Sequence, residues 1–96
     1  MIVDIKRFYE DGEYIAEYEP TESEMQECLT TLLKQWYRNY TPQKALEEIS
    51  NEFGIEYEQT TPKTFADVVD ILDLTQNYDF LDDIREEIEE YFNNKY

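Results

Sequence analysis

Residues 77–96, NYDFLDDIREEIEEYFNNKY, decide the fold of this chain because they pair an apolar stripe with a row of acids. At about 100° per residue, the apolar side chains fall on one arc of roughly 120°. They are Phe80, Leu81, Ile84, Ile88, Tyr91 and Phe92. The spacing predicts one amphipathic helix over 77–96 that packs its apolar stripe against the rest of the chain.

The adjoining arc of this predicted helix carries carboxylates, which we call the acidic ridge. Its members are Asp79, Asp82, Asp83, Glu86, Glu87, Glu89 and Glu90. Like charges four residues apart destabilise a helix by about 0.2–0.5 kcal/mol per pair, and the helix dipole favours acids only in the first turn. Asp79 can act as a helix cap. The other six residues have no local structural explanation, so we predict that they serve a function.

Length and composition restrict the class of protein. A chain of 96 residues predicts a single domain over 1–96, and an aromatic content of 16% is too high for a disordered acidic tail. There are 24 acids, 8 bases and no histidine, which gives a net charge of −16. Such a charge disfavours direct binding to nucleic acids or anionic membranes and favours basic partners. Because it lacks a signal peptide and a long apolar run, the sequence predicts a soluble intracellular protein.

The N-terminal residues predict a β-hairpin. Residues 2–9 are rich in β-branched and aromatic types, Asp11-Gly12 is a turn signal, and residues 14–18 alternate Tyr or Ala with Ile or Glu. Tyr14, Ala16 and Tyr18 share one face of the second strand, and Ile15 shares the other with glutamates. Either face is compatible with burial.

Three helices are predicted between the hairpin and residue 77. Thr21 and Glu24 form a capping-box pattern before an apolar stripe that runs to Tyr40, and Thr41-Pro42 begins a second helix that Gly54 ends. Residues 55–60 alternate apolar residues with glutamates, which allows either a third strand or a loop. Thr61-Pro62 or Thr64 caps the third helix. The predicted fold is α+β: an N-terminal hairpin, or a three-stranded antiparallel sheet, packed against about four helices.

The core of this fold is predicted from the apolar positions of its helices. It comprises Leu29, Leu32, Leu33, Trp36, Leu46, Ile49, Phe53, Val68, Leu72, Phe80, Leu81, Ile84 and Ile88. Cys28 lies on the same stripe as Leu29 and Leu32 and is predicted to be a core residue, because no histidine is present to activate its thiol. The third helix adds a second acidic line, formed by Asp67, Asp70 and Asp73.

The sequence argues against an enzyme, a cofactor and a metal site. General acid–base catalysis most often uses histidine, and the two glycines, Gly12 and Gly54, stand in a turn and at a helix end rather than in a phosphate loop. The oxygen donors of Asp73-x-Thr75-x-Asn77-x-Asp79 resemble the start of a calcium loop. That loop requires a glycine and a bidentate glutamate where this chain has Tyr78 and Ile84.

The acidic ridge matches the charge density of nucleic acid. Seven carboxylates from Asp79 to Glu90 span about 17 Å of a straight helix, or about one charge per 2.5 Å. Duplex DNA carries one charge per about 1.7 Å counting both strands, and one per about 3.4 Å in each strand. The line of Asp67, Asp70 and Asp73 could supply a second row, so the two rows together could imitate a nucleic-acid backbone.

In size, charge, lack of paired cysteines and the ridge Asp79 to Glu90, the chain resembles small acidic phage-encoded inhibitors of bacterial defence. These include anti-CRISPR and anti-restriction DNA mimics, which share no common fold. The resemblance implies a cytoplasmic inhibitor of a CRISPR effector nuclease or restriction complex, with the target's basic nucleic-acid groove as partner. The alternative is a non-enzymatic adaptor or antitoxin-like module, in which apolar and aromatic surface drives binding and the acids provide solubility.

Overall fold

The computed structural model describes residues 1–9 and 12–95. Within these ranges the chain is a two-stranded antiparallel hairpin followed by helices, which confirms the predicted α+β class. The elements are β1 (Val3–Tyr9), β2 (Gly12–Tyr18), α1 (Glu22–Trp36), α2 (Pro42–Phe53), α3 (Phe65–Ile71), α4 (Tyr78–Asp83) and α5 (Arg85–Lys95), with a 3₁₀ turn over Leu74–Gln76. The molecule is elongated, measuring 53 × 24 × 21 Å.

The hairpin forms near the predicted position, with its register running from the Val3–Tyr18 pair to the Tyr9–Gly12 pair. Gly12 is therefore the first residue of β2, with φ +127°, rather than a turn residue. Asp11 lies outside the described residues. Val3 and Ile5 are buried, so the face that they share with Tyr18 is turned toward the helices at this end of the hairpin.

Residues 55–60 do not form a third strand. Ser50 of α2 engages both backbone groups of Ile55: the Ile55 N–H donates to Ser50 O over 3.0 Å, and Ser50 Oγ donates to Ile55 O over 2.5 Å. These bonds close the left-handed end of α2 at Gly54. They take up the backbone groups through which residue 55 would have paired with the hairpin.

The predicted caps are present. Thr21 and Glu24 bond reciprocally at the start of α1, and Thr41 caps α2 with Pro42 in its first turn. Of the two sites proposed for the start of α3, the structure uses Thr64, whose hydroxyl accepts from the Asp67 N–H over 3.2 Å. α1 ends at Trp36 instead of continuing to Tyr40.

The core forms between the helices and the end of the hairpin that contains Val3 and Ile5. It contains all of the predicted core residues except two. Phe53 is only partly buried, and Trp36 is 41% exposed. Cys28 is buried as predicted, and desolvation raises the pKa of its thiol from 9.0 to about 12.

The single helix predicted over 77–96 is wrong, because the chain breaks at Ile84 into α4 and α5. Ile84 is buried and has φ −112° and ψ 22°, outside the helical region. No glycine or proline marks the break. It falls between the members of two like-charged pairs, Asp82/Glu86 and Asp83/Glu87, whose repulsion opposes a continuous helix there. Tyr96, the last residue of the predicted helix, lies outside the described residues.

Candidate functional site

Six of the seven acids of the ridge are exposed and unpaired. Among the described residues, these six carboxylates have no hydrogen bond and no ion pair within 4 Å. They are Asp79, Asp82 and Asp83 on α4, and Glu86, Glu87 and Glu90 on α5. The break at Ile84 divides them into two groups of three. Their spacing is therefore not that of one straight helix, although their charge remains uncompensated.

Glu89 is the exception, and the prediction that it has no structural role is wrong. Its Oε2 accepts the Asp4 N–H of β1 over 2.7 Å, and its Oε1 lies 3.6 Å from Arg85 Nε. Only 22% of its side chain is exposed. Glu89 thus joins α5 to β1. The sequence could not show this contact because Asp4 is 85 residues away.

The second acidic line is also divided between structural and free residues. Asp67 accepts the Lys63 N–H over 2.8 Å and the Thr64 N–H over 3.1 Å, and these bonds hold the pKa of its carboxyl below the ordinary value. Asp70 is exposed on α3. Asp73 is exposed beyond the end of α3 with φ +51°. The three aspartates therefore do not form a single helical row.

Two ridge residues, Glu87 and Glu90, line a groove of about 570 Å³ between α1 and α5. The α1 wall contributes a third glutamate, Glu27, and the exposed Trp36. Lys95 lies at this groove with its Nζ 3.8 Å from Glu27 Oε2 and 6.0 Å from the centre of the Tyr91 ring. The groove thus combines carboxylates with aromatic surface.

Trp36 is a candidate binding residue that the sequence did not identify. It lines the α1–α5 groove and also a second recess of about 270 Å³, together with Phe53 and Phe80. Its position on the predicted apolar stripe, which runs on to Tyr40, predicts burial. In the structure Trp36 is the last residue of α1, and the described elements leave its ring partly exposed.

Among the described residues, no three potential metal ligands of the types His, Cys, Asp and Glu come together. In the segment that resembles a calcium loop, the Asn77 Oδ1 instead accepts the Phe80 N–H over 3.0 Å as the cap of α4. Within the described chain, no helix combines the length and apolar character needed to span a membrane.

Comparisons with protein-family models, curated proteins and solved structures find no match to this chain. The chemistry of its exposed residues is therefore the basis on which a function can be assigned. The six free carboxylates on α4 and α5 are exposed residues for which the described structure offers no structural role.

Proposed function

We propose that this protein inhibits a nucleic-acid-binding enzyme by presenting the free carboxylates of α4 and α5 to the enzyme's basic groove. A CRISPR effector nuclease or a restriction complex is the target class that the size and charge of the chain favour. The inhibitor performs no chemistry, because occupation of the groove is enough to exclude the nucleic acid. It is not itself expected to bind nucleic acid, since both carry the same sign of charge.

The observation that carries this proposal is the contrast between the free and the engaged acids. Where the fold needs a carboxylate, as at Glu89 and Asp67, the side chain accepts backbone hydrogen bonds. The six free ridge acids contribute no such bond among the described residues, while their mutual repulsion opposes folding. Their charge would be used in binding, because it attracts the basic groove of a partner enzyme.

The break at Ile84 changes the form of the proposed mimicry. The chain does not present a straight row of carboxylates spaced like the phosphates of one nucleic-acid strand. It presents two short acidic helices, with the exposed Tyr78 (62%) at the start of α4. Tyrosine is enriched at protein interfaces, so we expect the contact to include this ring beside the carboxylates.

The test compares two variants with the same change in net charge. The ridge variant carries Asp82→Asn, Asp83→Asn, Glu86→Gln, Glu87→Gln and Glu90→Gln. The control variant carries Glu22→Gln, Glu48→Gln, Glu52→Gln, Glu56→Gln and Glu58→Gln, all at exposed positions outside the ridge. Each protein is added to purified CRISPR nucleases and restriction enzymes that cleave a labelled DNA substrate.

We expect the wild-type protein to inhibit at least one of these enzymes and the ridge variant to inhibit it at least fivefold more weakly. Five exposed ion pairs of about 0.2–1 kcal/mol each correspond to about 1–5 kcal/mol in total, or fivefold and more. Inhibition should weaken as salt is raised, because screening shortens the range of the charges. The control variant should stay within about twofold of wild type. Equal loss in the two variants, or inhibition of no enzyme, would contradict the proposal.

The adaptor hypothesis has its own supporting observation, the exposed ring of Trp36 between two recesses. Tryptophan is enriched among the residues that dominate the energy of protein interfaces. If this hypothesis is right, Trp36→Ala abolishes partner binding, the ridge variant binds normally, and the affinity changes little with salt.

A further inference from the structure

The two outer edges of the hairpin differ in how their backbone groups are hydrogen-bonded. Side chains of α5 cover the outer edge of β1: Glu89 accepts the Asp4 N–H over 2.7 Å, and Asn93 Oδ1 accepts the Lys6 N–H over 2.6 Å. Asn93 Nδ2 donates to Asp4 O over 3.2 Å. Backbone groups at this edge are thereby hydrogen-bonded as they would be by a third strand.

These contacts determine which groups of β2 point away from the hairpin. In an antiparallel pair, opposite residues alternate between those that exchange hydrogen bonds and those that do not. Asp4 and Lys6 direct their backbone groups to α5, so their partners in the register, Glu17 and Ile15, also direct theirs outward. The outer edge of β2 therefore presents the N–H and C=O groups of Ile15 and Glu17.

This edge has no partner within the described part of the chain. No hydrogen bond from beyond the hairpin reaches Ile15 or Glu17, and Ile15, Ala16 and Glu17 are all exposed. Ile15 is 63% exposed, the largest fraction among the exposed large hydrophobic residues of the described chain. An uncovered strand edge with a central aliphatic side chain can accept another strand.

We propose that the outer edge of β2 binds an extended basic segment of a partner protein by strand addition. Main-chain hydrogen bonds to Ile15 and Glu17 would supply affinity, and an apolar side chain of the added strand would lie beside Ile15. Charge determines the kind of strand: residues 12–19 contain three glutamates and no base. Lysine or arginine at alternate positions of the added strand would stand opposite these acids.

The same charges argue against a second copy of this chain as the occupant. Two antiparallel β2 strands paired edge to edge would bring glutamates of one copy near those of the other, and like charges opposite each other destabilise a sheet. This proposal uses residues outside α4 and α5. It can therefore stand or fail separately from the proposed inhibition.

The test uses a short synthetic strand, acetyl-Lys-Thr-Val-Thr-Lys-amide, with valine placed to lie opposite Ile15. Binding to the full-length protein is followed by NMR, through the amide signals of Ile15 and Glu17 and their hydrogen exchange. We expect the peptide to bind, to slow exchange of the Ile15 amide at least tenfold, and to lose affinity when its lysines are replaced by glutamate.

Methylation of the peptide backbone separates strand addition from simple charge attraction. Because Ile15 would form a hydrogen-bonded pair with the valine, N-methylation of the valine should weaken binding at least tenfold. N-methylation of the two threonines, whose N–H groups point away from β2, should change it less than about threefold. Both peptides keep the charge of the parent.

A variant of the protein gives the complementary control. Ile15→Pro removes an outward N–H without removing a bond of the hairpin, a position at which proline is tolerated, whereas Ile15→Ala keeps that N–H. We expect the proline variant to bind at least tenfold more weakly than the alanine variant.

The proposal is overturned if the two methylated peptides bind equally, if the peptide perturbs only signals of α4 and α5, or if it does not bind at millimolar concentration. Protection of the Ile15 amide in a dimer of the free protein would overturn it in favour of self-association.

Discussion

Glu89 and Glu90 are neighbours in sequence with different expected roles, and replacing each by glutamine separates structure from function. The substitution removes one negative charge and keeps the shape of the side chain. Glu89 bonds to the β1 backbone and to Arg85, whereas Glu90 is exposed at the α1–α5 groove with no partner among the described residues. We expect Glu89→Gln to affect stability and Glu90→Gln to affect binding of the target.

The size of the stability effect follows from the contacts of Glu89. A hydrogen bond to a charged group contributes about 1.5–3 kcal/mol, and a neutral one about 0.5–1.5 kcal/mol, so loss of the charge costs about 1 kcal/mol. Loss of the partly exposed pair with Arg85 adds about 0.2–1 kcal/mol. Glu89→Gln should thus lower the free energy of unfolding by about 1.5 kcal/mol, which for a domain of this size lowers Tm by roughly 6–12 °C.

Glu90→Gln should have the opposite sign. It removes a like charge four residues from Glu86, so the free energy of unfolding should rise by about 0.2–0.5 kcal/mol. Urea denaturation followed by far-UV circular dichroism measures both changes, and hydrogen exchange at the Asp4 amide reports the lost bond of Glu89.

The binding readout is inhibition of the target enzyme at a temperature at which both variants are folded. Glu90→Gln should weaken inhibition a few-fold and Glu89→Gln should leave it unchanged. Equal stabilities of the two variants would refute the anchoring of β1 by Glu89. Equal inhibition by the two variants would refute the role of Glu90 in binding the target. It would leave the anchoring of β1 by Glu89 untouched.

Three further predictions concern the fold. Asn93→Ala should lower the free energy of unfolding by about 1–3 kcal/mol because two hydrogen bonds to β1 are lost. The neighbouring substitution Asn94→Ala should change it by less than about 0.5 kcal/mol. Equal urea midpoints of the two variants would contradict the role of Asn93. The Cys28 thiol, with its pKa raised to about 12, should be inert to a disulfide reagent at pH 8 until urea unfolds the chain, and a fast reaction of the native protein would show that it is not buried. The pKa of Asp67 is lowered, so the stability that its carboxylate contributes is present above the ordinary pKa near 3.8 and is lost as pH falls through the pKa of the folded protein. The difference in Tm between wild type and Asp67→Asn should therefore be larger at pH 7 than at pH 2. A difference that is the same at both would argue against the hydrogen bonds that Asp67 accepts from Lys63 and Thr64.

The candidate site was predicted only in part. The exposure of Asp82, Asp83, Glu86, Glu87 and Glu90 agrees with their predicted position on the arc beside the apolar stripe. Their alignment does not, because the break at Ile84 has no local signal such as glycine or proline. A helical wheel assumes a straight helix, and only the backbone conformation of Ile84 in the folded chain shows where that assumption fails.

Sequence by itself determined the features that depend on neighbours along the chain. Capping residues such as Thr21 and Thr41 bond to groups three residues away, Gly54 supplies a left-handed backbone, and the apolar spacing of α1 and α2 defines which face is buried. These interactions are local, so the type and order of the residues are enough to specify them.

Tertiary structure alone decided the roles of Glu89, Trp36 and Ile15. Glu89 and Trp36 occupy positions whose local patterns predict a free acid and a core residue, and Ile15 lies on a strand for which either face could be buried. Their environments depend on which distant elements pack against them. The β1 backbone contacts Glu89, and the described elements leave Trp36 partly exposed. Side chains of α5 cover the outer edge of β1, whereas the outer edge of β2, which contains Ile15, is uncovered in the described structure. Contacts across more than 80 residues are set by the packing of the whole chain, which no local pattern encodes.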